Sequence, residues 1–454
     1  MTTTLEQIPV GPHDIARLTE HVERLLDSAR AQGVDGAEAL AVRSMQISRE
    51  VAGERVEPPH IDHRHRLHFA VYENGCKGEV QVKLDEGFNP EQVIDQALNT
   101  ARQAIPDPHQ GPADPESQAT EYPDLDLYHD WPQSEESLLQ VAQLSDTAGL
   151  QADQRIIGSR GSLLRALAQV QVFGNSHGFL GGYASTEYQL STFMRAAYNG
   201  VQRTAGEVVV KRSLADIGEP GEIGNLAARR AIDYLGNNTL QVDRCPMVFS
   251  PQASVWLLGA FIDAIGGEAI SLGRSVLAGS LGAQVFAPGV SIQEFPHQPG
   301  GVGSVPFDHE GSAVATRTFV EQGRLLSYAL DATSARRLGM SSTGNASIPF
   351  GQARNLSFVA GSSCQAQLLA RMSSGVLVAE ARAPKIDLQN GAFSMKAVGL
   401  WVENGEVQYP LNPFVITADL KELFRNIREI GNDIEEKLRI KGVSVLVDAL
   451  SISH

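Results

Sequence analysis

Cysteine is scarce: Cys76, Cys245 and Cys364 are the three in 454 residues, too few and too scattered for a disulfide framework or a cysteine-rich zinc module. That usage suits a reducing compartment. Positive charge is also short, 37 Lys plus Arg against 53 Asp plus Glu, and the formal net charge of −16 opposes binding to a phosphate backbone. No apolar stretch nears the roughly 18 residues needed to span a bilayer. The N-terminal stretch lacks the basic start and apolar core of a secretory leader. A cytoplasmic protein with neither a nucleic-acid nor a membrane partner is expected. What is present, 42 % hydrophobic and 20 % charged residues, is the composition of a globular chain, and the length predicts two or three domains.

Hydrophobic periodicity predicts an α+β fold. Asp14 caps a helix with Ile15, Leu18, Val22, Leu25 and Leu26 on one face, followed by strands over residues 38–51 and 64–82. The second run is broken by Glu73-Asn74-Gly75, a hairpin-turn signal. Asn89-Pro90-Glu91-Gln92 opens a second helix through a cap, a first-turn proline and a capping box. These make a small domain of sheet plus helices, residues 1–105. Six prolines between Pro106 and Pro132 remove amide donors and favour extended backbone, so residues 106–133 are expected to be a linker. Residues 134–454 are expected to form a larger, strand-rich domain with a few helices. Within it, residues 155–212 read as a β-meander and Ser250-Pro251 opens a helix running to Gly266. Thr417 is expected to cap a helix that carries Leu420, Leu423, Phe424 and Ile427 and stops at Gly431. Residues 443–447 read as a buried strand.

Histidine is the natural place to seek chemistry, because His60, His63, His65 and His68 fall together. Residues two apart in a strand share a face, so His63 and His65 could offer two imidazoles to one metal ion, with His60 or His68 reaching round an end. Against this, Leu67, Phe69 and Val71 must be buried on that face, and Arg64 and Arg66 flank the rings. Asp308-His309-Glu310 contains the His-Glu start of a zinc-hydrolase motif, but a helical site needs a second His four or five residues on, where Ala313 and Val314 stand. A polar turn is expected there. Gly158-Ser159-Arg160-Gly161-Ser162 and Gly174-Asn175-Ser176-His177-Gly178 read as turns, not as nucleophile elbows. Gly300-Gly301-Val302-Gly303-Ser304 is not followed by Lys-Ser/Thr or a helix, so it supports phosphate binding weakly.

Several segments carry a resemblance. Phe307-Asp308-His309-Glu310-Gly311, Ser334-Ala335-Arg336-Arg337-Leu338-Gly339 with Ser342-Thr343-Gly344-Asn345, Trp401-Val402-Glu403-Asn404-Gly405-Glu406, and Arg425-Asn426-Ile427 with Gly431-Asn432-Asp433-Ile434-Glu435 resemble the TldD/PmbA family and occur in its order. Asp126-Leu127-Tyr128 and residues 172–178 extend the match into the first half. The TldD-like branch carries a His-Glu-x-x-x-His helix and a C-terminal Cys that hold a metal; the PmbA branch, also called TldE, lacks them. The corresponding helix here reads Leu257-Leu258-Gly259-Ala260-Phe261-Ile262-Asp263-Ala264-Ile265-Gly266 and the corresponding strand Ile440-Lys441-Gly442-Val443-Ser444-Val445, with no such ligand.

The resemblance implies the metal-free, non-catalytic subunit of a zinc-dependent peptidase complex. Its partner would be a TldD-like catalytic chain holding the zinc, and its substrate an extended, unfolded peptide in maturation or degradation. No catalytic or metal residue is then expected in this chain, and no residue can be assigned to the substrate groove from sequence. Two other readings stay open: a self-sufficient metal hydrolase using His60, His63, His65, His68 or His309, and a non-proteolytic regulator of the gyrase-modulator type. The His60 to His68 cluster and the loop Ala346-Ser347-Ile348-Pro349-Phe350 depart from the PmbA pattern and could mark a paralogue with its own partner or peptide.

Overall fold

The computed structural model describes residues 10–84, 87–129, 131, 134–346 and 354–453, so most of the loop after Asn345, Ser347 to Phe350, lies outside the described residues. Helix α1 (Ile15–Ala31) buries Leu18, Val22, Leu25, Leu26 and Ala29, each large side chain contributing about 1.5–3 kcal/mol on burial. Asp14 stands at its N-terminus without capping it, because its carboxylate is spent on Arg43 and Arg17. Strands β1 (Gly36–Ala52), β2 (His60–Glu73) and β3 (Cys76–Lys83) follow, then α2 (Pro90–Ala101), whose Asn89 cap accepts from the amides of Glu91 and Gln92. Helix α3 (Glu135–Gln151) precedes a meander of β4 (Ile156–Asn175), β5 (Leu180–Tyr198) and β6 (Val201–Lys211), and α4 (Pro220–Asp233) closes this half.

These strands form one antiparallel sheet in the order β3-β2-β1-β4-β5-β6, with a short strand at Arg55–Val56 beside β1. The expected boundary at residues 105 to 134 therefore crosses a single sheet, since β1 pairs with β4 from Glu38 opposite Asn175 to Val51 opposite Ser162. Long-range pairing of this kind leaves no local signal. Residues 158–162, read as a turn, lie inside β4, where the register with β5 shifts twice; the glycines mark β-bulges. One face of the sheet, with Ala39, Leu67, Phe69, Leu164, Ala166, Ala168, Val170 and Val172 in its core, is covered by the four helices. The other face points at the C-terminal half.

That half holds β7 (Arg244–Phe249), α5 (Pro251–Ala264), β8 (Ile292–Glu294), β9 (Arg317–Glu321), α6 (Ala332–Leu338), β10 (Leu356–Phe358), β11 (Gly375–Ala381), β12 (Ala392–Glu403), β13 (Phe414–Asp419), α7 (Leu420–Arg425), β14 (Ile440–Lys441) and β15 (Val445–Ser453), with shorter strands between. Strands β9, β8, β10 and β14 lie in one sheet; β11, β7, β15, β13 and β12 lie in another. Helix α5 is buried against both, with Phe261 edge-on to Phe286, Phe319 and Phe424. The C-terminal helix is shorter than its apolar spacing predicts. Thr417 belongs to β13, Asp419 is the cap, and Ile427 begins a strand, Ile427–Ile430, that pairs with β15; strand pairing overrides local periodicity here.

The proline-rich stretch is tied down rather than free. Arg336 on α6 donates to the carbonyls of His109, Gly111 and Pro112 and to Asp114, and Arg337 holds Asp107. Further on, the Ala119 amide donates to Gly311 O and the Thr186 amide to Leu127 O. Residues 107–127 form a strap between the two halves. No helix among the described residues is long and apolar enough to cross a membrane.

Candidate functional site

The two halves meet at the Phe307 to Gly311 turn. The Phe307 side chain, 1 % exposed, packs edge-on against Tyr122, Phe179 and Tyr183 with ring centroids 5.3, 5.0 and 5.5 Å away, which pins the turn to the open face of the large sheet. Gly311 has φ +74° and stands where a Cβ would lie 2.4 Å from the Phe179 ring, so only glycine fits. As expected, Asp308-His309-Glu310 is a polar turn and not a helix. The Asp308 carboxylate accepts from the amides of Glu310 (2.9 Å), Ser312 (2.8 Å) and Ala346 (3.0 Å). It is a structural anchor, as the buried acceptor for three amides.

The next two side chains border a cavity of about 650 Å³. Glu310 Oε2 accepts from the Ala332 amide at 2.8 Å. Burial, then the charges of Asp308, Glu38 and Asp331, raises its pKa well above the glutamate range, which favours its neutral form. Burial also raises Asp308, to about 6, against the pull of Arg354 and of its three amides. Burial lowers His309 to about 4, helped by Arg354, Arg439 and His68. Across the cavity, on the sheet, stand His68, Phe173, Glu38, Lys77 and Glu79. Tyr72 donates to Glu38 at 2.7 Å. Burial disfavours the Lys77 ammonium, but Glu38 and Glu79 outweigh it and raise its pKa.

The histidine cluster divides as strand alternation requires. His60 and His63 are exposed at the end of β2. His65 is half-buried on the helix-covered face, its pKa lowered to about 4 by burial and by Arg17 and Arg43. His68 faces the cavity; burial and Arg66 lower its pKa. Thus the fold brings His68 to His309, residues far apart in sequence, and separates His68 from His65. Among the described residues no group of three or more His, Cys, Asp or Glu side chains is arranged to hold a metal ion. The facing residues Glu38, Lys77, Glu79 and Asp331 carried no motif. Their placement depends on a register between strands and halves that one sequence does not display.

Two further segments were singled out and meet elsewhere. Helix α5, capped by Ser250, and residues 440–445 pack together: Ser254 Oγ accepts from the Val443 amide at 3.1 Å. A Cβ on Gly442 would stand 1.8 Å from Pro251 O. A cavity of about 190 Å³ opens beside this junction, bordered by Gln252, Trp256, Glu380, Lys437 and Ile440. Glu207, 1 % exposed, is bonded there by Gln252, Arg230 and Lys437. Asp263 lies exposed at the far end of the helix. The Gly300 to Ser304 loop, weakly suggestive of phosphate, presents carbonyls of Gly301, Val302 and Ser304 to the Arg212 guanidinium, the polarity of a cation site.

Most segments that carry the family resemblance are structural in this geometry. Asn404-Gly405 turns the hairpin after β12, Arg336 and Arg337 hold the strap, Asn345 donates to the buried Glu294, and Asp433 accepts from the Ser444 amide and hydroxyl.

Comparison with known proteins follows the same division. Residues 128–235 match the PmbA/TldA metallopeptidase central domain and residues 242–454 its C-terminal domain. The chain is 34 % identical over 439 residues to a protein of Escherichia coli O157:H7 named metalloprotease PmbA, covering 96 % of each chain. It is 31 % identical to a metalloprotease PmbA homolog of Buchnera aphidicola subsp. Acyrthosiphon pisum, covering 92 % of each. In fold it is similar to the crystal structure of TldE from Thermococcus kodakarensis, with a TM-score of 0.78 at 18 % identity over 95 % of this chain and 99 % of that one. A Thermotoga maritima structure described as a modulator of a DNA gyrase gives 0.86 at 24 % identity over 96 % and 99 %.

Proposed function

Because this chain belongs to the PmbA/TldA metallopeptidase family, we propose that it is the non-catalytic subunit of a zinc-dependent peptidase complex. A TldD-like chain supplies the metal, and an extended, unfolded peptide is the substrate. One observation carries the reading: the junction of α5 with residues 440–445, where the zinc-bearing branch would be expected to place its ligands, is built from Ser254, Gly442, Val443 and apolar helix side chains. Zinc needs three or four imidazole, thiolate or carboxylate ligands, and one exposed Asp263 does not supply them. The His68–His309 pair is likewise two ligands short of a closed site.

The net charge of −16 favours work on peptides beside another protein over work on DNA. Strand β3, at one edge of the large sheet, suits peptide capture through backbone hydrogen bonds, which tolerates varied sequence. The test compares the purified chain alone with the chain co-expressed with a TldD-like partner, reading bound zinc by mass spectrometry and cleavage of an unfolded peptide. The chain alone is expected to hold no stoichiometric zinc and to cut nothing, and the pair to do both. Zinc with cleavage in the single chain, lost on His309→Ala, would instead establish the self-sufficient hydrolase. Failure to form a complex would favour the regulator.

A further inference from the structure

On the other side of the Phe307 to Gly311 turn lies a smaller, more enclosed chamber of about 120 Å³. Its floor is the open face of the large sheet, where Gln169 and Gln171 of β4 and Tyr183 and Ser185 of β5 are paired neighbours. Three guanidinium groups, of Arg212, Arg354 and Arg439, border it. Arg212 is 7 % exposed. Its hydrogen bonds run to carbonyl oxygens of Gly301 (3.2 Å), Thr186 (3.2 Å), Val302 (2.8 Å) and Ser304 (3.3 Å), and among the described residues no carboxylate forms an ion pair with it. Those bonds use four of its five N–H donors.

Arg354, 6 % exposed, donates to Ala346 O at 3.0 Å. Its nearest carboxylate, Glu294, is 3.6 Å away and already accepts from Asn345 and from the Arg354 amide. Arg439, with its side chain half-exposed at the mouth, reaches Glu187 at 3.3 Å, a carboxylate shared with Arg165. Asp308 brings a further acid to the lining, but its oxygens are occupied by three amides. A buried cation without a matching anion is costly to keep. The carbonyls orient Arg212 without neutralising it, and three guanidinium groups stand against one carboxylate, Asp308, in the lining, so the chamber carries net positive charge.

We propose that this chamber binds a carboxylate group. Arg212 and Arg354 supply fixed cations at its depth, Arg439 closes its mouth, and the amide and hydroxyl side chains of the floor take the remaining oxygen lone pairs. Guanidinium groups match a carboxylate in charge and in hydrogen-bond geometry. The volume takes a carboxylate and the atoms beside it and excludes a folded chain. The same chemistry is offered by the C-terminus of a peptide and by a small free carboxylic acid. The proposed peptidase-complex role selects the peptide terminus as the source; the site itself stands on the three arginines.

The experiment is calorimetric titration of the full-length chain, without partner or zinc, with Ac-Gly-Ala-Gly-Ala-OH, the same peptide as its C-terminal amide, and N-acetylglycine. The acid-ended peptide is expected to bind about ten- to a hundredfold more tightly than the amide. Arg212→Gln would remove four structural hydrogen bonds, so the variants are Arg439→Gln, which should weaken the acid alone, and Ser185→Leu, which fills the chamber and should abolish the preference with the melting temperature unchanged. Equal binding of acid and amide, or a preference that survives in both variants, would overturn the proposal. A peptide affinity well above that of N-acetylglycine supports the peptide terminus, and equal affinities support a free-acid site. No readout depends on cleavage, so loss of the subunit reading would leave an acid-over-amide preference intact.

Discussion

Replacing Glu310 with glutamine should leave the protein as stable as the parent at about pH 4.5 and below, and more stable than the parent at pH 7, although the side chain sits at the meeting of the two halves. Glu310 Oε2 accepts from the Ala332 amide at 2.8 Å, and burial with the charges of Asp308, Glu38 and Asp331 raises the carboxyl's pKa and so favours its neutral form. A neutral glutamic acid and a glutamine have the same shape, and the glutamine oxygen can take the same bond. Where the carboxyl is protonated in both the folded and the unfolded chain, Glu310→Gln is worth less than about 1 kcal/mol, whereas Glu310→Ala leaves that amide without its side-chain acceptor and costs about 1–3 kcal/mol. An ionised Glu310 would reverse the expectation, since Glu310→Gln would lose a charge-assisted bond worth about 1.5–3 kcal/mol.

The pH dependence separates the two cases. The native pKa lies above the usual 4.5, so the native state takes up this proton before the unfolded chain does. The resulting stability is fully present below 4.5 and is lost as pH rises through the native value, at up to about 1.4 kcal/mol per pH unit. Glu310→Gln removes that slope. Asp308, raised in the same direction to about 6, remains in both proteins, so their difference reports Glu310 together with its charge interaction with Asp308. Urea unfolding followed by tryptophan fluorescence from pH 5 to 8 measures it. A variant destabilised by more than about 2 kcal/mol at pH 7, or a parent–variant difference that does not move with pH, would refute the reasoning.

Phe307→Ala should cost about 3–5 kcal/mol, read by urea unfolding, because it empties a fully buried site and removes three edge-on ring contacts. Arg336→Ala should release the strap that now crosses between the halves, costing about 2–4 kcal/mol for a guanidinium that serves three carbonyls and Asp114; faster amide exchange over residues 109–119 would show it, and unchanged exchange would contradict it. Gly442→Ala should force residues 440–445 away from α5, since its Cβ would stand 1.8 Å from Pro251 O. A melting temperature within about 1 °C of the parent would rule out that close approach.

Family and class were legible because they rest on local patterns. The caps at Asn89 and Ser250, the Asn-Gly turns, and the stripe on α1 all form as their side chains dictate. The motif segments kept their order along the chain, and several of them proved to be the turns, caps and anchors that the fold needs at those points. The same local reading ran the C-terminal helix past Arg425, where pairing with β15 prevails over spacing. Only the tertiary structure joined residues 36–83 and 156–211 into one sheet and turned a proline-rich linker into a strap. It also placed His68 beside His309 while sending His65 to the opposite face, and gathered Arg212, Arg354 and Arg439 around one chamber. Spacing within a segment sets which face a side chain takes; which face meets which is fixed by register and packing between distant segments, and that is where both cavities lie.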